Sequence, residues 1–323
     1  MFSSSVIFKM PLQIKIFLFH RVSGSKDPLW NPMDPKLFER ILSYLNRKYE
    51  VVPLEGTLSG EFRPLNKKKL CAITFDDGYK DFVNYAFPIL QKYKAPSSMY
   101  IISNCVDTQL PPWTYMINHL FINTSHLSLN LRSETLPASF QNSNWKNEIE
   151  RIDYAKKLSP FLKQLNNFER QILYKQITEE FNDVNNPVNM MMTWDDIKEV
   201  YNNGCEIGSH SASHPLLTKK LSAEEIKKEL IESGKKIESA IGKFPYSFSY
   251  PFGSYNQEIK KMTADAGYKS GLVVRNQIYN NSTNDMFEIP RIELYDESFI
   301  KAKFRISTLI AKINSVINTR ANS

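Results

Sequence analysis

The chain has 323 residues, of which 42% are hydrophobic and 23% are charged, and its formal net charge is +7. These are ordinary globular values, and the length allows one large domain or two small ones. The odd number and wide spacing of the cysteines argue against a disulfide framework and against a thiolate zinc site, and favour a reducing compartment; the cysteines are Cys71, Cys105 and Cys205. The positive charge suits an acidic glycan, an anionic membrane surface or nucleic acid, and a generic basic surface is the preferred interpretation.

The first predicted element is a β-strand close to the N-terminus. An apolar stretch begins the chain, but Gln13 and Lys15 interrupt it and no small-residue cleavage site follows. We therefore interpret Ile14–Phe19 as a strand that ends before His20, and not as an export signal. No apolar window approaches the length of a transmembrane helix.

Strand-like and helix-like runs alternate over the first third of the chain. Asp34 can cap free N–H groups and Pro35 suits the first helical position, so a helix is predicted to begin there. The pattern then predicts a helix over Tyr85–Tyr93 and three strands. These strands are Val51–Leu54, Leu70–Phe75 and Ser98–Ile102.

The alternation stops at about residue 107 and resumes at about residue 188. We predict a helical insertion without strands between these points, with helices over Trp145–Leu165 and Phe168–Phe181. Beyond it, Thr193 with Asp196 and Ser222 with Glu225 form capping boxes, and Asn256 caps a further helix. The later predicted strands are Cys205–Gly208, Tyr246–Tyr250, Gly271–Val274 and Phe287–Leu294. Such alternation implies a mostly parallel sheet, open or closed into a barrel.

The last predicted element is a basic amphipathic helix over Phe299–Ile317. We interpret it as a helix that packs against the barrel or another protomer, and a membrane-surface helix is the alternative.

Polar residues follow two of the predicted strands, where parallel α/β folds assemble their sites. Asp76 and Asp77 are adjacent carboxylates, which repel each other unless a cation or a proton compensates, although a helix cap is the alternative. His210 and His214 can meet at one metal ion if the chain coils locally, although they can equally be exposed loop residues. Asp77 and the two histidines would form a catalytic metal site with open positions, with Asp76 as a general base.

An aromatic loop follows the strand that ends at Tyr250. The rings of Tyr250, Phe252 and Tyr255 suit stacking on a sugar face, and a backbone N–H beside Gly253 can face a developing oxyanion. Taken alone, this loop is better explained as a tight turn.

These runs resemble the polysaccharide deacetylases with a NodB-like domain, also called carbohydrate esterase family four. The motifs that carry the resemblance are TFDDG ending at Gly78, HSxxHP at 210–215 and YPFG at 250–253, in the family's order. Short runs at 20–22 and 289–292 are similar to the branch found with exopolysaccharide and surface-glycan synthesis. The resemblance implies a distorted (β/α)7-type barrel. Together with the residue pattern, it predicts a single domain with the barrel over about 12–106 and 188–296, the helical insertion over about 107–187 and a C-terminal amphipathic helix over about 297–318.

The resemblance also implies roles for the site residues. Asp76 would be the catalytic base, and Asp77, His210 and His214 would bind a divalent metal, usually zinc, with cobalt, nickel or iron as alternatives. The metal would polarise a water molecule and the acetyl carbonyl, and the backbone N–H of Phe252 would help to hold the oxyanion.

Two departures from the family pattern lead to hypotheses. Many members carry an arginine in the third motif that orients the catalytic aspartate, and we hypothesise that Arg291 supplies this charge here. Many members also use a late histidine as general acid, but none follows His214. We hypothesise that His20 takes this role, because barrel closure brings the first strand beside the last.

The leading prediction is a metal-dependent hydrolase that removes N-acetyl groups from an N-acetylhexosamine-containing glycan or glycan precursor. An O-acetyl esterase or a non-sugar amidase on the same metal site is an alternative, and so is a catalytically weak glycan-binding module. We expect a cytoplasmic protein, with peripheral contact at the inner membrane face where glycan precursors are made. We expect no nucleic-acid partner, because no basic stripe with interleaved aromatic residues is present.

Overall fold

The computed structural model describes residues 12–65, 68–218 and 221–307. The strands are β1 (Gln13–Phe19), β2 (Tyr49–Val51), β3 (Lys69–Asp77), β4 (Ser97–Ile101), β5 (Ser128–Asn130), β6 (Asn142–Asn144), β7 (Cys205–Ser209), β8 (Ser247–Ser249), β9 (Ser270–Val274), β10 (Tyr279–Asn280) and β11 (Ile289–Glu293). The helices are α1 (Pro35–Lys48), α2 (Leu54–Ser59), α3 (Phe87–Lys92), α4 (Ser103–Thr108), α5 (Trp113–Asn123), α6 (Ala138–Gln141), α7 (Glu148–Leu162), α8 (Asn167–Glu180), α9 (Trp194–Asn202), α10 (Ala223–Ile241), α11 (Gln257–Asp265) and α12 (Phe299–Ser307). A π-helical turn, Phe82–Ala86, precedes α3, and a 3₁₀ turn, Pro251–Gly253, follows β8.

Seven parallel strands close into a barrel. Their order is β1, β11, β9, β8, β7, β4 and β3, and pairing of β3 with β1 completes the circle. The closing register runs from Ile14 opposite Leu70 to Phe19 opposite Phe75. The predicted distorted (β/α)7-type barrel is confirmed. Because the strands are parallel, all seven carboxyl ends meet at one rim.

Local sequence signals explain the helices that surround the barrel. The Asp34 side chain accepts hydrogen bonds from the backbone N–H groups of Lys36 and Leu37, at 2.8 and 3.2 Å, as the capping prediction requires. The capping boxes predicted at 193–196 and 222–225 are both formed. Helix α1 buries one face against the barrel, and fully burying each such side chain contributes about 1.5–3 kcal/mol; its buried residues are Phe38, Ile41, Leu42 and Leu45.

The strand predicted over Val51–Leu54 is displaced toward the N-terminus. The structure ends β2 at Val51 and begins α2 at Leu54. Pro53 separates the two elements with a φ of −65°. Because proline lacks a backbone N–H, it suits the start of a helix better than a strand.

The segment 107–187 forms a second hydrophobic core beside the barrel. The helices predicted over 145–165 and 168–181 correspond to α7 and α8, while α5 was not predicted. The expectation of no strands here is wrong, because β5 and β6 pair antiparallel with Leu129 opposite Ser143. Each strand has only three residues, and the sequence of β6 is Asn-Ser-Asn, so the alternation of apolar and polar residues that predicts a strand is absent from it. The buried residues of this core include Phe121, Leu158, Leu173, Ile177 and Phe181.

The C-terminal amphipathic helix is described up to Ser307. In this part α12 packs against α1, with Ala302 and Ile306 buried and the Arg40 guanidinium 4.1 Å from the Phe299 ring centroid. The rest of the predicted helix, up to residue 317, lies outside the described residues. Among the helices that are described, none is long and apolar enough to cross a membrane.

Candidate active site

The rim at the carboxyl ends of the strands gathers the predicted site residues. Asp76 and Asp77 end β3, and both are buried. The chain after β7 turns sharply, with positive φ angles of 67° at Ser211 and 60° at His214. The backbone N–H of His214 donates to the Ser211 hydroxyl at 2.9 Å, which stabilises this unusual turn. The local coil that two histidines four apart require is therefore present, and it folds His214 back toward His210.

Three predicted ligand atoms converge at this rim. The Nε2 atoms of His210 and His214 lie 3.2 Å apart. Asp77 Oδ1 lies 3.5 Å from the first and 3.6 Å from the second. All three side chains are buried, and their ligand atoms lie within 4.8 Å of one another. The structure thus brings together the residues that the sequence proposed as one carboxylate and two imidazoles.

The chemistry of these three groups fits a bound cation. His210 Nδ1 lies 2.8 Å from the Ser249 carbonyl oxygen, which can only accept, so Nδ1 carries the proton and Nε2 keeps its lone pair. Burial lowers the pKa of His214 well below its usual value, which keeps that ring neutral. Burial also raises the pKa of Asp77, and its Oδ1 has no hydrogen-bond partner within the described parts of the chain. Acceptor atoms that face one another without a donor suit a divalent metal.

Asp76 is held by a separate network inside the barrel. Arg291, on β11, donates from Nη1 to Asp76 Oδ1 and from Nη2 to Oδ2, each at 2.7 Å. The Ser249 hydroxyl accepts from Arg291 Nη2 at 2.7 Å and donates to Asp76 Oδ2 at 2.9 Å. Burial opposes ionisation of Asp76, but the adjacent guanidinium outweighs it and holds the pKa of the carboxyl well below its usual range. Arg291 is fully buried. Its position beside Asp76 is the one expected if it supplies the charge that a third-motif arginine supplies in many family members.

A cavity of about 550 Å³ opens above these groups. Side chains of the barrel line part of the cavity, and side chains of the 107–187 segment line another part. The barrel contributes His20, Phe252 and Glu293, and the segment contributes Tyr115, Asn118 and Lys163. The cavity is therefore bounded by both parts of the chain.

His20 lies on the cavity wall at the end of β1. Its Nδ1 atom is 3.5 Å from Glu293 Oε1, and its ring makes a T-shaped contact with Trp30, with 5.6 Å between the ring centroids. The pairing of β1 with β11 brings His20 beside Glu293, as barrel closure was expected to do. The position is compatible with a proton donor, and that role remains a prediction.

The predicted aromatic loop is divided between the site and the protein interior. The Phe252 ring lies 4.4 Å from the His214 ring, measured between centroids, and Phe252 adopts a positive φ of 57°. Tyr250 is 1% exposed and stacks on Tyr255 at 5.2 Å, so its ring packs mainly in the core. Tyr255 and Gly253 lie outside the cavity lining, because the turn directs the Tyr255 ring onto Tyr250. Within this loop, Phe252 is thus the ring closest to the metal-ligand cluster.

Sequence reasoning missed the side chains that the 107–187 segment sends to the site. Trp113 donates from Nε1 to the His214 carbonyl oxygen at 3.2 Å, and its ring lies 5.9 Å from the Phe252 ring. The Arg170 guanidinium lies 4.3 Å from the Trp113 ring centroid, and Lys163 Nζ lies 5.5 Å from the Phe252 centroid. No motif surrounds these residues, so only the packing of the two cores reveals them.

Several solved structures share the fold. A Streptococcus pyogenes deacetylase, PplD, in complex with acetate is 19% identical, with a TM-score of 0.58 over 89% of this chain and 95% of that one. A de-N-acetylase from Aggregatibacter actinomycetemcomitans is 17% identical, with a TM-score of 0.56 over 90% and 99%. IcaB from Ammonifex degensii is 16% identical, with a TM-score of 0.55 over 90% and 95%. At these identities the likeness concerns the fold.

The sequence comparisons decide the family. No curated protein matches the sequence. The family model for polysaccharide deacetylase matches residues 64–271, which is more than half of the chain and includes the carboxylate, histidine and aromatic motifs. The chain therefore belongs to the polysaccharide deacetylase family.

Proposed function

We propose that the protein is a metal-dependent hydrolase that removes N-acetyl groups from an N-acetylhexosamine-containing glycan or glycan precursor. The observation that carries the proposal is the convergence of Asp77, His210 and His214 beside an ionised Asp76. Family membership supports glycan deacetylation. The descriptions of two structures of the same fold, a deacetylase with acetate and a de-N-acetylase, point to the same chemistry.

The proposed metal ligands are Asp77 Oδ1, His210 Nε2 and His214 Nε2, which face one another in the rim. Zinc suits one carboxylate and two imidazoles, and cobalt, nickel and iron are alternatives for the same donor set. When bound, the metal would act as a Lewis acid that acidifies water and polarises the acetyl carbonyl. The hydrogen bond from His210 Nδ1 to the Ser249 carbonyl oxygen fixes the tautomer that leaves Nε2 free.

Asp76 is the proposed general base. Its depressed pKa keeps it ionised at neutral pH, so it is always ready to accept a proton. The same depression makes it a weak base, and it therefore requires a water molecule that is already acidified. Arg291 and Ser249 fix both carboxylate oxygens, so the base is held in one orientation.

Two further groups complete the proposed reaction. The backbone N–H of Phe252, in the turn next to His214, would donate to the oxyanion that forms when the acetyl carbonyl is attacked. His20, which also lines the cavity, would then protonate the leaving amine. Glu293, at 3.5 Å from His20 Nδ1, would orient the imidazole.

Acetate release provides the test. Oligomers of N-acetylhexosamines and O-acetylated sugars are incubated with the metal-loaded protein, with and without chelator. Asp76→Asn is compared with Asp195→Asn, a matched control whose side chain is 94% exposed on α9. We expect release from the N-acetyl substrates that chelator abolishes, that Asp76→Asn lowers by about 10²–10⁴-fold and that the control leaves unchanged.

The other outcomes separate the alternatives. Release only from O-acetylated sugars would make the protein an esterase. Tight glycan binding by metal-loaded protein without turnover would make it a binding module. Chelator-insensitive release would contradict the role of the metal.

A further inference from the structure

The cavity wall formed by the 107–187 segment carries positive charge that the proposed reaction does not use. Lys163 follows directly after α7 and is half-buried in the cavity lining. Its Nζ atom lies 5.5 Å from the centroid of the Phe252 ring, and that ring in turn lies 4.4 Å from the His214 ring. The ammonium group and His214, one of the proposed metal ligands, thus both lie against the Phe252 ring.

The carboxylates of the cavity already have other partners. Asp76 is paired with Arg291 through two hydrogen bonds. Glu293 lies beside His20 and accepts a hydrogen bond from the Tyr295 hydroxyl. Asp77 belongs to the proposed metal site. Consequently, none of these carboxylates forms an ion pair with Lys163, and Glu293 and Asp77 act on it only from farther away.

Lys163 itself has no ion-pair partner among the described residues. Within the ranges that the structure describes, no carboxylate oxygen lies within 4.0 Å of its Nζ atom. Burial lowers its pKa, with Glu293 and Asp77 acting in the opposite direction from farther away. Lys156 lines the same wall but is paired with Asp153 at 3.1 Å. A half-buried cation without an anion is costly, and a bound anion would remove that cost.

Arg170 adds a second positive charge behind this wall. Its side chain is 4% exposed, and burial lowers its pKa to about 10. Its guanidinium packs 4.3 Å from the Trp113 ring and donates to Asn167 Oδ1 at 2.6 Å. Among the described residues, no carboxylate oxygen comes within ion-pairing distance of it. Both cations therefore raise the electrostatic potential on the same side of the cavity.

We propose that this wall is a subsite for an anionic group of the glycan, a carboxylate or a phosphate next to the N-acetylated sugar, which Lys163 contacts directly. The inference rests on the proposed deacetylase function and names its substrate class. A charge-assisted contact of this kind contributes about twice as much as a neutral hydrogen bond. The protein would accordingly prefer acidic glycans over neutral ones of equal length.

The test compares kcat/KM for acetate release from three probes. The neutral probe is the tetramer of N-acetylglucosamine, the carboxylate probe is a tetrasaccharide in which N-acetylglucosamine alternates with glucuronate, and the phosphate probe is N-acetylglucosamine 1-phosphate, compared with free N-acetylglucosamine. Each is measured with the unmodified protein, Lys163→Met, Lys163→Arg and Lys157→Met. Lys157 is exposed on α7, the helix that Lys163 follows, and lies outside the cavity lining, so its substitution removes an equal charge elsewhere.

We expect the unmodified protein to prefer one anionic probe over its neutral counterpart by about tenfold, because one charge-assisted contact is lost with the neutral probe. Lys163→Met should bring this ratio close to one, Lys163→Arg should restore it, and Lys157→Met should keep it. The preferred probe distinguishes a carboxylate from a phosphate. A preference for the neutral probes, or an unchanged ratio in Lys163→Met, would overturn the proposal.

A binding measurement keeps this inference separate from the proposed function. Calorimetry with the de-N-acetylated forms of the same probes needs no turnover. Binding of an anionic probe that weakens with salt and is lost in Lys163→Met would support the subsite even if no acetate were released from any substrate. Equal binding by Lys163→Met and Lys157→Met would overturn the subsite while leaving a measured deacetylase activity intact.

Discussion

The barrel and the 107–187 segment contribute to the same cavity in different ways. The barrel places its reactive groups at strand ends, so that Asp76 and Asp77 are adjacent in sequence and His210 and His214 are four apart. The segment has its own hydrophobic core and contributes isolated side chains: Lys163 lines the cavity, Trp113 contacts the His214 carbonyl oxygen, and Arg170 packs on Trp113. The proposed metal ligands and general base therefore occur in short sequence motifs, whereas the residues of the 107–187 segment near the cavity are scattered along the sequence.

The two regions meet along a narrow stack of side chains. Arg170 packs on Trp113, Trp113 packs on Phe252, and Phe252 packs on His214. The Trp113 indole N–H also donates to the His214 carbonyl oxygen. Because His214 and Phe252 both adopt positive φ angles, contacts from the second region stabilise a conformation that neither residue favours alone. Substitutions in the barrel and in the 107–187 segment should therefore have effects of different size.

The largest effect is expected from removing a proposed metal ligand of the barrel. His214→Ala should lower kcat/KM by about a thousandfold or more, since metal assistance supplies several kcal/mol. Metal content, measured together with activity, should fall in parallel. His126→Ala is the control, because this histidine lies in the other region with its side chain 39% exposed. Full metal content in His214→Ala would contradict the ligand assignment.

Arg291→Ala should have the next largest effect, because it leaves the buried Asp76 carboxylate without its cation. Unfolding free energy should fall by about 3–5 kcal/mol, as when a buried pair loses one partner. Asp76, whose pKa is depressed in the folded protein, contributes stability above the unfolded carboxyl pKa and loses it as pH falls through the folded value. Without Arg291 that folded value rises, so the acidic limb of the pH–rate profile should move to higher pH. An unshifted profile and rate would refute the role of Arg291, and Arg291→Lys should show an intermediate shift.

His20→Ala tests the proposed proton donor of the barrel wall. We expect kcat to fall by about a hundredfold, the lower range for a positioned acid. A substrate with a better leaving group should show a smaller loss, because it depends less on protonation of the amine. Glu293→Gln should lower kcat less than His20→Ala, since Glu293 acts through the imidazole. A fully active His20→Ala protein would exclude the role.

The smallest effect is expected from Trp113→Phe, which keeps a ring against Phe252 but removes the hydrogen bond to the His214 carbonyl oxygen. The loss of one hydrogen bond corresponds to about 0.5–1.5 kcal/mol. Metal affinity should therefore decrease by about tenfold or less. A competitive chelator titration measures the change. An affinity equal to that of the unmodified protein would show that the 107–187 segment does not stabilise the ligand loop.

Much of the fold could be predicted because local signals agree with the tertiary structure. The caps at Asp34, Thr193 and Ser222 begin helices where expected, since a capping side chain satisfies free N–H groups without help from distant residues. The β5–β6 pair escaped prediction for the opposite reason. The strands β5 and β6 lack apolar alternation, and their positions depend on packing in the second core. Helix α5 does carry apolar residues at helical spacing, Met116, Ile117, Leu120 and Phe121, and the prediction missed this local signal.

The candidate site divides in the same way. The sequence by itself determined the family, the barrel and the identity of Asp76, Asp77, His210 and His214 as candidates, because reactive groups at strand ends occur in short contiguous motifs. The tertiary structure decided which atoms converge. It also brought Arg291 to Asp76 across 215 residues of chain and directed Tyr255 away from the cavity.

The part of the cavity that the 107–187 segment lines was decided by tertiary structure alone. Lys163 lines it, Trp113 and Arg170 pack nearby without lining it, and the three form no motif. A lone lysine at a helix end normally faces water. Lys163 is half-buried near the metal-ligand cluster, and no carboxylate of the described residues lies within ion-pairing distance of it, which is a property of three-dimensional packing. The sequence shows that a lysine is present at position 163. Its charged and aromatic neighbours are set only when the second core packs beside the closed barrel.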